Sequence, residues 1–165
     1  MDTPLTDARD LLGMRQRGVW VVVAFFLAAV WLVAATPSAS VHTIAGTLAA
    51  AAIYTAATIT LVAAEGDPLP MVPTILLTLA GPASAALVLM SSDSTALTAT
   101  AVGMSHGAGA AIYAFMIVRG RRVAPWLGFL AIVAIFVVWG AHSGAGVPPA
   151  FIQSVVDVAP LLMAT

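Results

Sequence analysis

Long apolar runs separated by short polar breaks form the pattern of this chain. The runs are roughly 18 to 24 residues long, enough for a helix to cross a hydrocarbon core of about 30 Å. They are continuous rather than alternating, which favours helices over β-barrel strands. The pattern predicts an all-α, polytopic membrane protein with an N-terminal tail (residues 1–17) and a bundle of six transmembrane helices (residues 18–165). The predicted spans are residues 18–35, 41–64, 71–90, 95–118, 124–141 and 147–165.

The composition supports this class and excludes several functions. Hydrophobic residues make up 61% of the chain and charged residues 8%, against about 25% charged in a soluble domain. The chain has no cysteine, so thiolate metal sites and cysteine nucleophiles are excluded. It contains no phosphate-binding loop, zinc-protease motif or nucleophile elbow. We therefore expect neither an enzyme nor a cofactor, and the net charge of −1 predicts no nucleic-acid partner.

The arginines predict how the chain is oriented. In a six-span arrangement both arginine clusters lie on the same side of the membrane. Positively charged loops stay on the cytoplasmic side, so the N-terminus and C-terminus are both predicted to be cytoplasmic. The clusters are Arg9, Arg15 and Arg17 before the first span, and Arg119, Arg121 and Arg122 after the fourth.

Titratable residues inside the predicted spans are the main candidates for function. Asp157 lies near the middle of the sixth span, and His106 lies near the middle of the fourth. An ionised carboxylate at that depth costs about 2.5–3.5 kcal/mol on insertion scales, so Asp157 needs a partner or a proton. Gln153 is one turn away on the same face. Two interpretations stay open: a proton- or ligand-responsive site, or a buried hydrogen bond that fixes the helix register. Ser105, Thr98, Tyr113 and Tyr54 are candidates to extend this polar seam.

Two further histidines lie at the predicted outer face. His42 begins the second span and His142 ends the fifth, and Asp93 lies in the outer loop between the third and fourth. Together they offer nitrogen and oxygen ligands for a metal, but no tight ligand spacing accompanies them. We therefore interpret the histidines as boundary residues and predict no metal site.

Small residues predict where helices pack. Gly103 and Gly107 form a GxxxG motif in the fourth span, which favours packing within the bundle, with a homodimer interface as the alternative. Gly81 and Pro82 lie in the middle of the third span, where proline predicts a kink that is either a hinge or static. The second span has an alanine stripe that we expect to be buried: Ala45, Ala49, Ala52 and Ala56.

Three stretches carry a family resemblance: residues 105–110 and 119–129, reading Ser-His-Gly-Ala-Gly-Ala and Arg-Gly-Arg-Arg-Val-Ala-Pro-Trp-Leu-Gly-Phe, and the closing residues 155–162. They resemble the N-terminal multi-span region of actinobacterial sensor histidine kinase-like proteins, which carry a C-terminal ATP-binding domain. The resemblance implies a membrane input or anchoring domain in a bacterial cytoplasmic membrane. This chain has no phosphoacceptor helix or ATP-binding box, so it implies no kinase activity here.

The sequence thus favours a non-catalytic membrane domain that senses or anchors. We expect it to be the N-terminal part of a longer signalling protein, because the last apolar run extends to Thr165. Its predicted partners are the lipid bilayer and a signalling protein or second copy. The alternative is a small proton-coupled transporter or carrier subunit that uses Asp157 and His106 as a relay.

Overall fold

A computed structural model describes residues 17–35, 41–91 and 99–143, with residues 17–19, 41, 99–106 and 143 described as backbone only. These residues form five helices and contain no strand, which confirms the all-α prediction for this part of the chain. The sixth predicted span lies outside it, so the count of six stays a prediction. The helices are α1 (Arg17–Ala34), α2 (Val41–Ala63), α3 (Met71–Ser91), α4 (Ala99–Val118) and α5 (Val123–Ser143).

Helix length and composition bear directly on membrane crossing. Three helical segments are long and apolar enough to span a bilayer: His42–Ala63, Met71–Ser91 and Val123–His142. The apolar parts of α1 and α4 are shorter, Trp20–Ala34 and Gly107–Val118. Phe25 and Met90 are 75% and 87% exposed, as expected of side chains that face lipid.

Helices that follow each other in the chain run antiparallel. Helix α3 lies at the centre, packed against α2, α4 and α5. Helix α1 packs on α2 and α4. The indole nitrogen of Trp31 donates to Thr55 Oγ1 at 3.0 Å, and Thr47 Oγ1 lies 3.4 Å from the Ala34 carbonyl oxygen. These two pairs run in opposite directions along α1 and α2, which confirms their antiparallel arrangement.

One end of the bundle, here called the arginine end, collects every arginine that the structure describes. It holds the start of α1 at Arg17, the loop between α2 and α3 (residues 64–70) and the loop between α4 and α5 (residues 119–122). The sequence predicted this grouping on one face. Which side of a membrane that face occupies stays a prediction.

The prediction of a buried alanine stripe on α2 is wrong. Its four alanines are all exposed among the described residues: Ala45, Ala49, Ala52 and Ala56. The neighbouring face packs instead, because it carries the larger Tyr54 and Leu61, and small residues beside them let α3 approach. The buried residues of that face are Thr47, Ala50, Ala51, Tyr54, Ala57, Thr58 and Leu61.

Gly107 packs on none of the described helices, so its predicted packing role, within the bundle or in a homodimer, stays a prediction. Gly107 is exposed, and a Cβ there would have no described atom within 4 Å. Gly109 takes the close-packed position, since a Cβ there would lie 3.4 Å from Ile132 Cδ1 and 3.5 Å from the Tyr54 hydroxyl. Gly103 is described as backbone within α4 only. Close packing therefore occurs two residues later in α4 than the motif indicated.

Helices α2 and α3 also meet closely at the end opposite the arginine end. Thr43 Oγ1 donates to the Ser91 carbonyl at 3.0 Å. A Cβ at Gly46 would collide with the Ser91 side chain and would lie 3.0 Å from the Leu87 carbonyl oxygen. The absence of a side chain at Gly46 is what lets the two helices cross here.

We expect Gly46→Ala to destabilise the bundle, because the added methyl group must separate α2 from α3. Overpacking of this kind costs about 1–3 kcal/mol. The matched control is Gly107→Ala, where the methyl group enters open space and alanine is the better helix former. Thermal unfolding in detergent, followed by tryptophan fluorescence, compares the two. Equal melting temperatures for the two variants would contradict the close crossing.

Candidate functional site

The buried cation of the arginine end is Arg119, whose side chain is 0% exposed. Its Nε donates to Asp67 Oδ1 at 3.0 Å. One terminal nitrogen donates to the Leu61 carbonyl at 2.6 Å. The other donates to the carbonyls of Ala64 and Gly66, both at 2.9 Å. A residue that directly follows α4 thus closes the end of α2.

This arrangement forms because a helix C-terminus leaves carbonyls without donors. The planar guanidinium presents several N–H groups in a fixed fork, so one side chain can satisfy several of these acceptors and the Asp67 carboxylate. Gly66 has a φ of +91°, a left-handed conformation that glycine adopts freely. That turn brings the carbonyl of Gly66 and the side chain of Asp67 onto the same guanidinium.

Backbone contacts strengthen the junction between the two loops. The Leu69 N–H donates to the Arg119 carbonyl at 3.3 Å, and Arg121 Nε donates to the Leu69 carbonyl at 2.7 Å. Gly120 has a φ of +78°, and a Cβ there would lie 3.2 Å from Pro68 Cβ. We call the Arg119 and Arg121 contacts with residues 61–69 the arginine lock. It joins the α2–α3 hairpin to the α4–α5 hairpin.

Sequence reasoning assigned Arg119 only to membrane orientation and missed its burial. The available signal was the pair of acids, Glu65 and Asp67, in a loop predicted on the same face as Arg119. Charge complementarity between two loops suggests an ion pair. Charge complementarity does not indicate which of the three arginines, Arg119, Arg121 or Arg122, is buried.

A second polar junction lies inside the bundle, at Tyr113 of α4. Its hydroxyl donates to the Thr78 carbonyl of α3 at 2.9 Å. Pro82 has no N–H, so the carbonyl four residues earlier, that of Thr78, loses its helical donor. The tyrosine supplies the missing donor, and a buried carbonyl left without one costs about 1–3 kcal/mol. We call this contact the tyrosine pin.

Two glycines make room for the tyrosine pin. A Cβ at Gly81 of α3 would collide with the Tyr113 hydroxyl, and a Cβ at Gly128 of α5 would lie 2.5 Å from that hydroxyl and 2.8 Å from the Thr78 carbonyl. Both glycines are buried. Three helices therefore converge on one hydroxyl group.

Tyr54 of α2 is a neighbour of the pin. Its side chain is fully buried and near enough to Tyr113 for their hydroxyls to interact electrostatically. The Ser84 hydroxyl of α3 is buried beside that of Tyr54, without the geometry of a full hydrogen bond. The two tyrosines of the predicted polar seam are thus brought together around the predicted kink at Gly81 and Pro82.

The acidic candidates of the seam lie elsewhere. Asp157, Gln153 and Asp93 are outside the described residues. His106 falls within α4, where only the backbone is described. The proton- or ligand-responsive site at Asp157 and His106 therefore stays a prediction. Ser105 and Thr98 of the seam are likewise beyond the described side chains.

The two boundary histidines lie at the end opposite the arginine lock. His42 and His142 are both exposed, and His142 Nδ1 is 2.8 Å from the carbonyl of Val138 in its own helix. Within the described residues no three His, Cys, Asp or Glu side chains form a group that could hold a metal ion. The interpretation of these histidines as boundary residues stays a prediction.

The described residues form a bundle of apolar helices joined by polar contacts. The chain belongs to the family described as Domain of unknown function (DUF8320), whose model matches residues 16–165. No curated protein and no solved structure matches the chain. The family description assigns no function, so the resemblance to sensor histidine kinase-like proteins stays a prediction.

We expect Arg119→Lys to weaken the arginine lock although it keeps the positive charge. A lysine ammonium is compact and cannot place donors on Asp67 and three separate carbonyls. Loss of two charge-assisted hydrogen bonds lowers the free energy of unfolding by about 3–6 kcal/mol. The measurement is thermal unfolding in detergent. The matched control is Arg122→Lys on the same loop, where the side chain is exposed and the change stays within about 0.5 kcal/mol.

Proposed function

We propose that this chain is a non-catalytic, multi-pass membrane domain that serves as the input or anchoring region of a signalling protein. The proposal places it in a bacterial cytoplasmic membrane, with the arginine end on the cytoplasmic side. Apolar helices and exposed apolar side chains support the membrane location. The resemblance in residues 105–110, 119–129 and 155–162 supports a role in signalling.

The arginine lock is the observation that carries the proposal. Alternating-access carriers work by rocking one helical repeat against another around a central site. Rocking the two hairpins at the arginine end would break the ion pair of the buried Arg119 with Asp67 and the hydrogen bonds of Arg119 to three carbonyls. The guanidinium would be left buried without these partners. A closed end suits a domain that anchors or transmits force better than one that opens there.

The same end is where an attached output domain would receive a signal. In the proposed orientation the lock faces the cytoplasm, and both hairpins move there as one body. A change at the opposite, outer end would reach the cytoplasmic side through tilts of whole helices rather than through separation of the hairpins. The proposed signal leaves by the last span, residues 147–165.

One observation favours the carrier as a second candidate. Pro82 interrupts the backbone hydrogen bonding of α3, and the freed Thr78 carbonyl is beside buried hydroxyls. Carriers build binding sites from interrupted helices of this kind. In that case Asp157 and His106 would supply the proton relay.

Proton flux separates the two candidates. We expect liposomes containing the purified chain to acidify no faster than protein-free liposomes under an imposed pH gradient, measured with an enclosed pH-sensitive dye and potassium–valinomycin to compensate charge. Flux above the protein-free control that Asp157→Asn abolishes and the matched Asp93→Asn preserves would establish the carrier. That result would contradict the proposed input domain.

The source gene tests the signalling role. We expect the reading frame to continue beyond the codon for Thr165 into a linker helix and an ATP-binding domain. The measurement is the nucleotide sequence of the genomic locus downstream of that codon. A stop codon immediately after Thr165 would contradict the role as the input region of the same polypeptide.

A further inference from the structure

The tyrosine pin lies at a gap in the backbone ladder of α3. Pro82 removes one N–H from the helix, so the Thr78 carbonyl has no donor from its own chain segment. The Tyr113 hydroxyl of the neighbouring helix closes that gap at 2.9 Å. The backbone of α3 at Pro82 is therefore completed by a hydrogen bond from a different helix. In membrane bundles a neighbouring helix is one of the sources of such a donor.

The position of the Tyr113 hydroxyl depends on how the α2–α3 hairpin is placed relative to the α4–α5 hairpin. It fits between Gly81 of α3 and Gly128 of α5, and any larger residue at either position would collide with it or press on the Thr78 carbonyl. Thr78 and Gly81 belong to one hairpin, and Tyr113 and Gly128 belong to the other. A small shift of one hairpin against the other lengthens or breaks the bond.

One contact confines such a shift at the arginine end, and another fixes the outer half of α3 within its own hairpin. The arginine lock joins the two hairpins at the arginine end. At the opposite end the Thr43 hydroxyl ties α2 to the last residue of α3, Ser91, within a single hairpin. The part of α3 beyond Pro82 therefore moves with α2, while the part before it is held near the lock. Gly81 and Pro82 are the positions at which α3 can change its direction.

We propose that Tyr113 is a latch on a hinge in α3. With the hydroxyl on the Thr78 carbonyl the bend is fixed. When the α4–α5 hairpin shifts, the carbonyl is released and the half of α3 beyond Pro82 changes its angle. The biological use of the latch rests on the proposed function, whereas its physical operation is a property of α3 and α4 alone.

Spin-label distances within α3 measure the latch directly. The chain has no cysteine, so Leu76→Cys and Met90→Cys place labels at two exposed positions on either side of Pro82. Pulsed electron–electron double resonance on the protein in lipid nanodiscs gives the distribution of distances between the two spin labels. We expect Tyr113→Phe to add a second population, or to shift the distribution by more than its parental width. Thr60→Val is the control, since the Thr60 hydroxyl donates to the Ala56 carbonyl of its own helix, away from Thr78, and it should leave the distribution unchanged.

A second variant keeps the test decisive if Tyr113→Phe fails to fold. Pro82→Ala restores an N–H to α3, so Thr78 regains a donor within its own helix. We expect Pro82→Ala alone to shift the distribution towards a straighter helix, and Tyr113→Phe added to it to have no further effect. A distribution that neither Tyr113→Phe nor Pro82→Ala changes overturns the latch. The spin-label measurement does not require an output domain. It can therefore overturn the latch while the proton-flux and reading-frame results still support the proposed function.

Discussion

The buried guanidinium of Arg119 is the constraint on which the described arrangement depends. A cation taken out of water must have its charge and its donors satisfied, and the carbonyls at the end of α2 together with Asp67 do this. The partners come from one hairpin and the arginine from the other. The two hairpins are therefore joined at the arginine end by an ion pair and several hydrogen bonds to one guanidinium.

The tyrosine pin is a weaker constraint of the same physical kind. Pro82 creates an unsatisfied acceptor in α3, and α4 supplies the donor. Both junctions form because lipid offers no substitute for a missing hydrogen-bond partner, so each free backbone group must be satisfied inside the protein. They differ in what they allow. The lock has several bonds that would break together, while the pin is a single neutral bond that one small displacement can release.

This difference connects structure to the proposed role. A bundle closed at one end and hinged in its middle is suited to converting a local change into a helix tilt. Three helices are long and apolar enough to cross a membrane, and the chain belongs to the DUF8320 family. The proposed input role depends on the lock, because a carrier would have to open the end that Arg119 closes.

The sequence by itself determined the helices and the grouping of the arginines. Runs of apolar residues indicate where helices begin and end, since a spanning helix satisfies its own backbone. The described boundaries fall within two residues of those predicted, except the start of α4, which lies at Ala99 and not at residue 95. Tertiary structure decided which faces pack. Ala45 and Gly107 had suitable neighbours along the chain but are exposed, whereas Gly109 and Gly128 face a tyrosine hydroxyl or ring. It also selected Arg119 from three nearby arginines, because burial of a charge depends on acceptors contributed by a loop more than fifty residues away.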